Sequence, residues 1–206
     1  MIPAFPLSII AFPGESIKLH IFESRYRQLF GELEERGTTF ALVPYYEGRE
    51  VTVGTEMELV QVIETYDDGK LDVEVKAIAP LTVHKLHSRY PNRLYPGIEV
   101  TRLPWNDKME RMVNPDLMLA IHKLYKVMNI SNVTINDPSV FRTHQLAHKV
   151  GFNIDQELEF LTLATEEERQ LYMLNHLGKL LPIAEEMETL RKLAELNGHI
   201  KNLKPP

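Results

Sequence analysis

The most suggestive chemical motif in this sequence is a pair of histidines, in the stretch His144-Gln-Leu-Ala-His148. On an α-helix, residues four apart share a face, so the two imidazoles could bind one Zn²⁺ as in zinc proteases. Those enzymes place a glutamate after the first histidine, but Gln145 stands there and cannot take a proton from a metal-bound water. Glu157 or Glu159 could supply a third ligand. We expect ordinary helix-surface or boundary histidines, and keep a metal-dependent enzyme or small-ligand binder using His144 and His148 as the alternative function.

Other catalytic arrangements are not indicated by the residue types. The chain has no cysteine, which excludes disulfides, a thiol nucleophile and a cysteine-ligated metal. No Gly-x-Ser-x-Gly turn is present. The Gly-Lys pairs at 69–70 and 178–179 lack the upstream glycine and the following Ser or Thr of a phosphate-binding loop. The sequence therefore predicts no cofactor and gives no positive indication of catalysis.

Composition narrows the classes of partner. With 206 residues, 44% hydrophobic and 25% charged, the chain resembles a soluble globular protein with a sizeable core. The net charge of -6 argues against nucleic acid as a partner, and RNA binding is kept only as a weak alternative. No apolar run approaches the roughly 20 residues of a membrane span. Because the first basic residue is Lys18, no export signal is expected either. We expect a cytoplasmic protein with no membrane partner.

The first half of the chain is predicted to be rich in β-strands with one helix. The helix is expected over residues 23–36, with Gly37 capping its end in a left-handed conformation. A hairpin is indicated by alternating apolar residues on both sides of the turn at 67–70. Strands are expected at 7–12, 16–22, 38–46, 57–66, 71–78, 81–86 and 98–103. Six or seven short strands are enough for a small closed or partly closed barrel.

The predicted helix has an apolar face that suits the open end of such a barrel. Tyr26, Leu29, Phe30 and Leu33 follow helical spacing, and we expect them to cover the barrel core. Phe22, at the end of the preceding strand, is expected in the barrel wall.

The second half changes to helical periodicity. Asn114-Pro115 is a typical helix start, with Leu117, Ile121, Leu124 and Met128 as its buried face. Asp137-Pro138 predicts a helix that ends at Gly151. Capping boxes at Asn153 and Thr165 predict two more helices. Pro182 must kink the last helix or start a new one. The fold class is therefore α+β, with a β-barrel subdomain at 1–108 and a helical bundle at 109–206.

The beginning of the chain resembles the N-terminal domain of Lon proteases. The matching motifs are Phe5-Pro6-Leu7, Pro13-Gly14, Leu19-His20-Ile21-Phe22-Glu23 and Arg25-Tyr26, in the same order and spacing. The hairpin and the C-terminal leucine-rich run are also similar. This resemblance implies a PUA-like β-barrel followed by a helical bundle, and a role in binding polypeptide substrates. The ATPase and serine-lysine peptidase modules of Lon are absent, so a non-catalytic, stand-alone form is expected.

The resemblance implies unfolded or partly folded polypeptides as partners, with the protein serving as an adaptor for a separate protease or chaperone in protein quality control. A surface for them needs exposed aromatic and apolar residues, which loops on a rigid scaffold often present. Two stretches have this character: Tyr45-Tyr46 and the proline-bounded loop at 89–96. Trp105 is expected to pack inward. The candidate peptide-binding residues are Tyr45, Tyr46, Arg89, Tyr90, Arg93 and Tyr95. The alternative, that these tyrosines pack under their own loops, stays open.

Overall fold

The protein is described from a computed structural model over residues 1–46, 52–108, 113–130 and 141–200. The chain forms two compact units. The first comprises Met1–Asn106 and Asn153–Ala164, and the second comprises Asp107–Phe152 and Thr165–Pro206. The predicted domain boundary after residue 108 stays a prediction, but the first unit also takes a short segment from the predicted helical half.

The first unit contains a six-stranded sheet with the order β2-β5-β4-β3-β1-β6. Strand β5 is long enough to pair with β2 along its first part and with β6 along its last part, while β4 lines its other edge. The additional β5–β6 pairing closes the sheet into a barrel. The strands are β1 (Ile2–Leu7), β2 (Ser16–Ile21), β3 (Thr39–Pro44), β4 (Val53–Thr65), β5 (Leu71–His87) and β6 (Gly97–Arg102).

The predicted hairpin is confirmed as β4 and β5, but two strand predictions are wrong. The expected strand at 7–12 lies instead at Ile2–Leu7, and the following residues are irregular although Ala11 and Phe12 are fully buried. A buried apolar run has the same hydropathy whether or not it pairs in a sheet. The strands expected at 71–78 and 81–86 form one strand that runs through Pro80. Because Pro80 lies between the segments paired with β2 and with β6, its missing N–H interrupts neither ladder.

Helix α1 (Ser24–Arg36) closes the barrel as predicted. Tyr26, Leu29, Phe30 and Leu33 are buried, and the ring of Phe5 lies 4.5 Å from that of Tyr26 and 5.8 Å from that of Phe30. Burying each large apolar side chain contributes about 1.5–3 kcal/mol. The prediction for Phe22 is wrong, because Ile21 is the last inward residue of β2 and Phe22 is 62% exposed.

The second unit is helical in its described part. Helix α2 (Pro115–Val127) starts as predicted, with the Asn114 side chain accepting a hydrogen bond from the backbone N–H of Asp116 at 2.9 Å. Leu117, Ile121 and Leu124 are buried, whereas Met128 lies beyond the helix and is exposed, so its prediction is wrong. The helix start expected at 137–138 lies outside the described residues.

Two further helices begin at the predicted capping boxes. Helix α3 (Ile154–Leu161), which belongs to the first unit, is capped by Asn153, and its Phe160 ring packs 5.4 Å from the Phe12 ring. Helix α4 (Glu166–Ile200) begins after Thr165, whose backbone N–H donates to the Glu168 carboxylate. No new helix begins at Pro182, because α4 runs through it. Among the described helices, none is both long enough and apolar enough to cross a membrane.

One glycine inside helix α1 and one at its C-terminal end provide a matched test of the helix conformation. Gly37 has φ +61° and Gly31 lies in the helix interior, and an added Cβ would meet nothing within 4 Å at either position. We expect Gly37→Ala to lower the free energy of unfolding by about 1–2 kcal/mol, because the left-handed conformation is strained for alanine. Gly31→Ala should raise it by about 0.5–1 kcal/mol through helix propensity. Urea denaturation measures both, and equal effects of one sign would contradict this assignment of the helix end.

Candidate functional site

The loop between β5 and β6, residues 88–96, has a compact backbone. The N–H of Tyr90 donates to the carbonyl of Tyr95 at 2.7 Å, which closes the loop at its base. Inside it, the N–H of Arg93 donates to the carbonyl of Tyr90 at 3.0 Å, and Asn92 takes a positive φ of 59°. Asparagine tolerates this conformation better than most residues, so the turn is locally favoured.

Helix α1 holds this loop in place through hydrogen bonds and an ion pair. The hydroxyl of Tyr95 donates to the Glu32 carboxylate at 3.1 Å, and Arg93 forms an ion pair with the same carboxylate at 2.5 Å. The N–H of Leu94 donates to the side-chain oxygen of Gln28 at 3.1 Å. Because Gln28 and Glu32 are one helical turn apart, a single helix face fixes three consecutive loop residues.

Glu32 determines the protonation states of the residues that join helix α1 to the loop. Burial alone would raise the pKa of Glu32, but the hydrogen bonds from Arg93 and Tyr95 and the charges of Arg93 and Arg36 hold that pKa below its ordinary value. Burial, followed by the hydrogen bond to Glu32, raises the pKa of Tyr95 to about 12. The carboxylate therefore stays ionised and the phenol stays neutral over the physiological range.

A cavity of about 980 Å³ lies beside the loop, lined by Gln28, His87, Arg89, Tyr90, Leu94 and Glu99 among others. Leu94 is 56% exposed, while Tyr90 is half-buried with its ring 5.7 Å from that of Tyr95. At the rim, His87 and Glu99 form a hydrogen-bonded pair at 2.6 Å. The cavity lining thus combines the apolar side chain of Leu94, the aromatic ring of Tyr90 and charged groups.

The predicted tyrosines therefore occupy different environments. Tyr95 is buried, so it supports the loop, and Tyr90 borders the cavity. Tyr45 is 58% exposed at the end of β3, where its N–H donates to the carbonyl of Leu7, and Tyr46 is half-buried beside it. Neither Tyr45 nor Tyr46 lines the cavity beside the loop. Trp105 is half-buried. The peptide-binding roles of these residues stay predictions.

The histidine pair lies on a 3₁₀-helix, Thr143–Lys149, and not on an α-helix as expected. With about three residues per turn, side chains four apart point about 120° from each other. His144 is buried and His148 is exposed, so the two are not arranged to share a metal.

A different set of residues surrounds His144. Ligand atoms of Asp107, His144 and Glu166 lie within 4.8 Å of one another, a grouping that could hold a metal ion. The fully buried Arg169 reaches into the same cluster, however, at 2.9 Å from Asp107 and 3.2 Å from Glu166. The other oxygen of Glu166 accepts the backbone N–H of Thr143 at 2.9 Å. A metal ion would have to displace the guanidinium of Arg169, so we describe the cluster as a buried ion-pair network.

The second unit also has an apolar groove of about 610 Å³ between the end of α2 and the middle of α4. Val127, Leu180, Ile183 and Met187 are among its lining residues. Of these, Ile183 and Met187 are exposed by more than half, so α4 presents an apolar stripe beyond Pro182.

The sequence did not predict the residues that support loop 88–96 or the cluster around His144. Gln28 and Glu32 occur in an unremarkable polar face of α1, and no local motif marks them as loop anchors. Arg169 and Glu166 belong to a helical turn whose charged residues suggest a solvated face. A weak signal is the spacing of Glu166, Arg169, Met173 and Leu177, which places the two charges on the buried face of α4.

The chain belongs to the family of the ATP-dependent protease La (LON) substrate-binding domain, whose model matches residues 1–197. Among solved structures, it resembles a Lon N-terminal domain protein from Xanthomonas campestris, with a TM-score of 0.62 and 23% identity over 84% of this chain and 96% of that one. The N-terminal domain of a Mycobacterium avium complex Lon protease matches with a TM-score of 0.57 and 13% identity, over 86% and 97% of the two chains. These likenesses establish the shared fold.

One curated relative is the protein cereblon from Xenopus tropicalis, which is 30% identical over 105 residues. This match covers 50% of the present chain but only 23% of that protein. The family assignment confirms the resemblance expected from the N-terminal motifs, and places the protein in a family named for substrate binding.

The hydrogen bond between Tyr95 and Glu32, which joins loop 88–96 to helix α1, gives a pH-dependent prediction. We expect Tyr95→Phe to lower the free energy of unfolding by about 0.5–1.5 kcal/mol at pH 7, the usual worth of one hydrogen bond. Because the pKa of Tyr95 is raised to about 12 in the folded state, its stabilising effect is complete below about pH 10 and is lost as the pH approaches 12. The difference between wild type and variant in urea denaturation should therefore shrink over that interval. Tyr45→Phe, at an exposed position, should show no difference, and a pH-independent penalty for Tyr95→Phe would contradict the prediction.

The cluster around Arg169 gives a second stability prediction. Arg169→Met leaves the buried Glu166 carboxylate without its cation, and we expect a loss of about 3–5 kcal/mol in the free energy of unfolding. Adding Glu166→Gln removes that charge but keeps an oxygen for the N–H of Thr143, so the double variant should recover part of the loss. Urea denaturation of Arg169→Met, Glu166→Gln and the double variant measures the coupling, and additive losses would contradict the ion-pair interpretation.

Proposed function

We propose that this protein binds unfolded or partly folded polypeptides, with the cavity beside loop 88–96 as a contact surface. The observation that carries this proposal is the contrast between adjacent loop residues: Tyr95 is 2% exposed and Leu94 is 56% exposed. A buried anchor next to an exposed apolar side chain holds that side chain ready for contact. Since the loop is already ordered, binding loses less conformational entropy than it would with a mobile loop.

The mixed chemistry of the cavity supports a polypeptide as the ligand. Leu94 and Tyr90 offer apolar surface, while Arg89 and Gln28 offer hydrogen-bond donors beside them. An unfolded polypeptide exposes apolar side chains next to backbone carbonyl groups, so it can use both kinds of contact at once. We propose that Tyr45, exposed at the end of β3, adds a further aromatic contact for a longer polypeptide.

We further propose that the protein acts as a non-catalytic adaptor in the cytoplasm, holding polypeptides for a separate protease or chaperone. The family description refers to substrate binding by an ATP-dependent protease. In these 206 residues the glycine-lysine pairs do not form a phosphate-binding loop, which is consistent with delivery to another protein's machinery.

The binding proposal is tested with a fluorescently labelled, permanently unfolded polypeptide, titrated with the protein and followed by anisotropy. We expect saturable binding with a Kd on the order of tens of micromolar, and about tenfold weaker binding by Leu94→Ser, since a buried leucine contributes more than about 1 kcal/mol. Tyr45→Ala should weaken binding of the same polypeptide by a smaller factor.

Leu86→Ser is the matched control, because Leu86 is 45% exposed in the same unit but does not line the cavity. It should bind as the wild type does. Failure of the wild type to bind any unfolded polypeptide at tens of micromolar would refute the proposed function. Equal weakening by Leu94→Ser and Leu86→Ser would leave binding intact but remove the cavity as its location.

A further inference from the structure

Arg89 differs from the other arginines described in the first unit. Its side chain is exposed and makes no hydrogen bond or ion pair with any described residue. Each of the other described arginines of that unit already has an oxygen partner. These pairs are Arg25–Glu23 at 2.7 Å, Arg27 with the carbonyl of Asp68 at 2.8 Å, Arg36–Glu32 at 3.7 Å, Arg93–Glu32 at 2.5 Å and Arg102–Glu56 at 2.6 Å. The positive charge of Arg89 is thus uncompensated within the described structure.

The surroundings of Arg89 favour an anion. It lines the cavity beside loop 88–96 together with Arg93, whose charge is matched by Glu32. The one carboxylate in the cavity lining, Glu99, is hydrogen-bonded to His87. The hydrogen bond from His87 is the main reason that the pKa of Glu99 lies below its ordinary value. An incoming negative charge therefore meets the guanidinium of Arg89, which has no described partner, and a carboxylate that already accepts a hydrogen bond from His87.

The same cavity places this cation beside apolar surface. Leu94 and Tyr90 lie in the lining with Arg89, on a loop whose backbone is fixed by its own hydrogen bonds and by Gln28. Guanidinium groups bind carboxylates through paired N–H donors, with a fixed orientation that an ammonium group does not impose. The cavity therefore suits a ligand that carries a carboxylate close to an apolar group.

We propose that Arg89 is the anion-binding residue of the cavity, and that the protein selects polypeptide segments in which a carboxylate neighbours an apolar side chain. This inference rests on the proposed polypeptide-binding function and specifies its substrate class. The carboxylate is that of an acidic residue or the terminal carboxylate of the polypeptide, since both present the same pair of oxygens. We assign this role to Arg89 and not to Arg93, because the guanidinium of Arg93 is already paired with Glu32.

The test uses four labelled peptides that share one apolar sequence. One has a free C-terminal carboxylate, one is amidated and neutral, one is amidated with a glutamate beside the apolar residues, and one is amidated with a lysine there. Anisotropy at low salt should show about tenfold tighter binding of the carboxylate-bearing peptides than of the neutral one, as expected for one charge-assisted contact. The lysine peptide should bind most weakly. Comparing the first and third peptides separates the two sources of the carboxylate.

Arg89→Gln should abolish the preference for the carboxylate-bearing peptides over the neutral one, and it should leave the fold unchanged because Arg89 is exposed. Arg89→Lys should restore part of the preference, because it keeps the charge but not the paired donors. Lys76→Gln removes an exposed cation elsewhere in the first unit and should keep the full preference. A thermal melt checks that all three variants fold.

Two results would overturn the inference while the proposed function stands: equal affinity of wild type for all four peptides, or a preference that survives Arg89→Gln. Absence of binding to every peptide and to the unfolded polypeptide would refute the proposed function and the inference together. A preference that falls as salt rises from low to physiological concentration supports the charge-based mechanism, and a salt-independent preference contradicts it.

Discussion

The packing of helix α1 into the barrel is the constraint on which the first unit depends. One face of the helix places Tyr26, Leu29, Phe30 and Leu33 in the core, against the rings of Phe5 and Phe40. Edge-to-face contacts of this kind fix the rotation of the helix about its axis, because each ring fits one position. The adjacent face, which carries Gln28 and Glu32, is therefore fixed as well, and it determines where loop 88–96 lies. The geometry of the cavity is in this sense a consequence of core packing.

The second unit achieves order by a different route. Its described helices bury Leu117, Ile121 and Leu177, but the start of α4 also buries a full ion pair. Removing Glu166 and Arg169 from water is costly, and their mutual attraction offsets that cost only when the remaining hydrogen-bonding atoms are also satisfied. The N–H of Thr143 and the partly exposed Asp107 supply such partners. This pair contributes to a defined arrangement of the 3₁₀-helix and α4 more than to net stability.

The sequence correctly predicts features that depend on nearby residues, and it fails for features that depend on residues far apart in the chain. The hairpin, the capping boxes and the buried face of α1 depend on residues within a few positions of each other, so the sequence predicts them correctly. The strand prediction around Pro80 is wrong because the structure there depends on which distant strands pair, and hydropathy does not distinguish the 3₁₀-helix of the histidine pair from an α-helix. The candidate site shows the same limit, since Arg89 and Arg93 look equivalent until the distant Glu32 neutralises one of them and leaves the other exposed in the cavity.

The shifted pKa values in this region also bear on whether the site does chemistry. Groups with perturbed pKa values often mark catalytic sites, where a strained or buried group is kept ready to exchange a proton. Here Glu32 accepts a hydrogen bond from Tyr95 and forms an ion pair with Arg93, and the pKa shift of each of these three groups favours the protonation state that the loop contacts require. A proton transfer among these groups would disrupt the contacts of Tyr95 and Arg93 with Glu32 that hold the loop. The electrostatics therefore hold loop 88–96 in place, and the residues for which we propose ligand contact, Leu94, Tyr90 and Arg89, lie outside this set of perturbed groups.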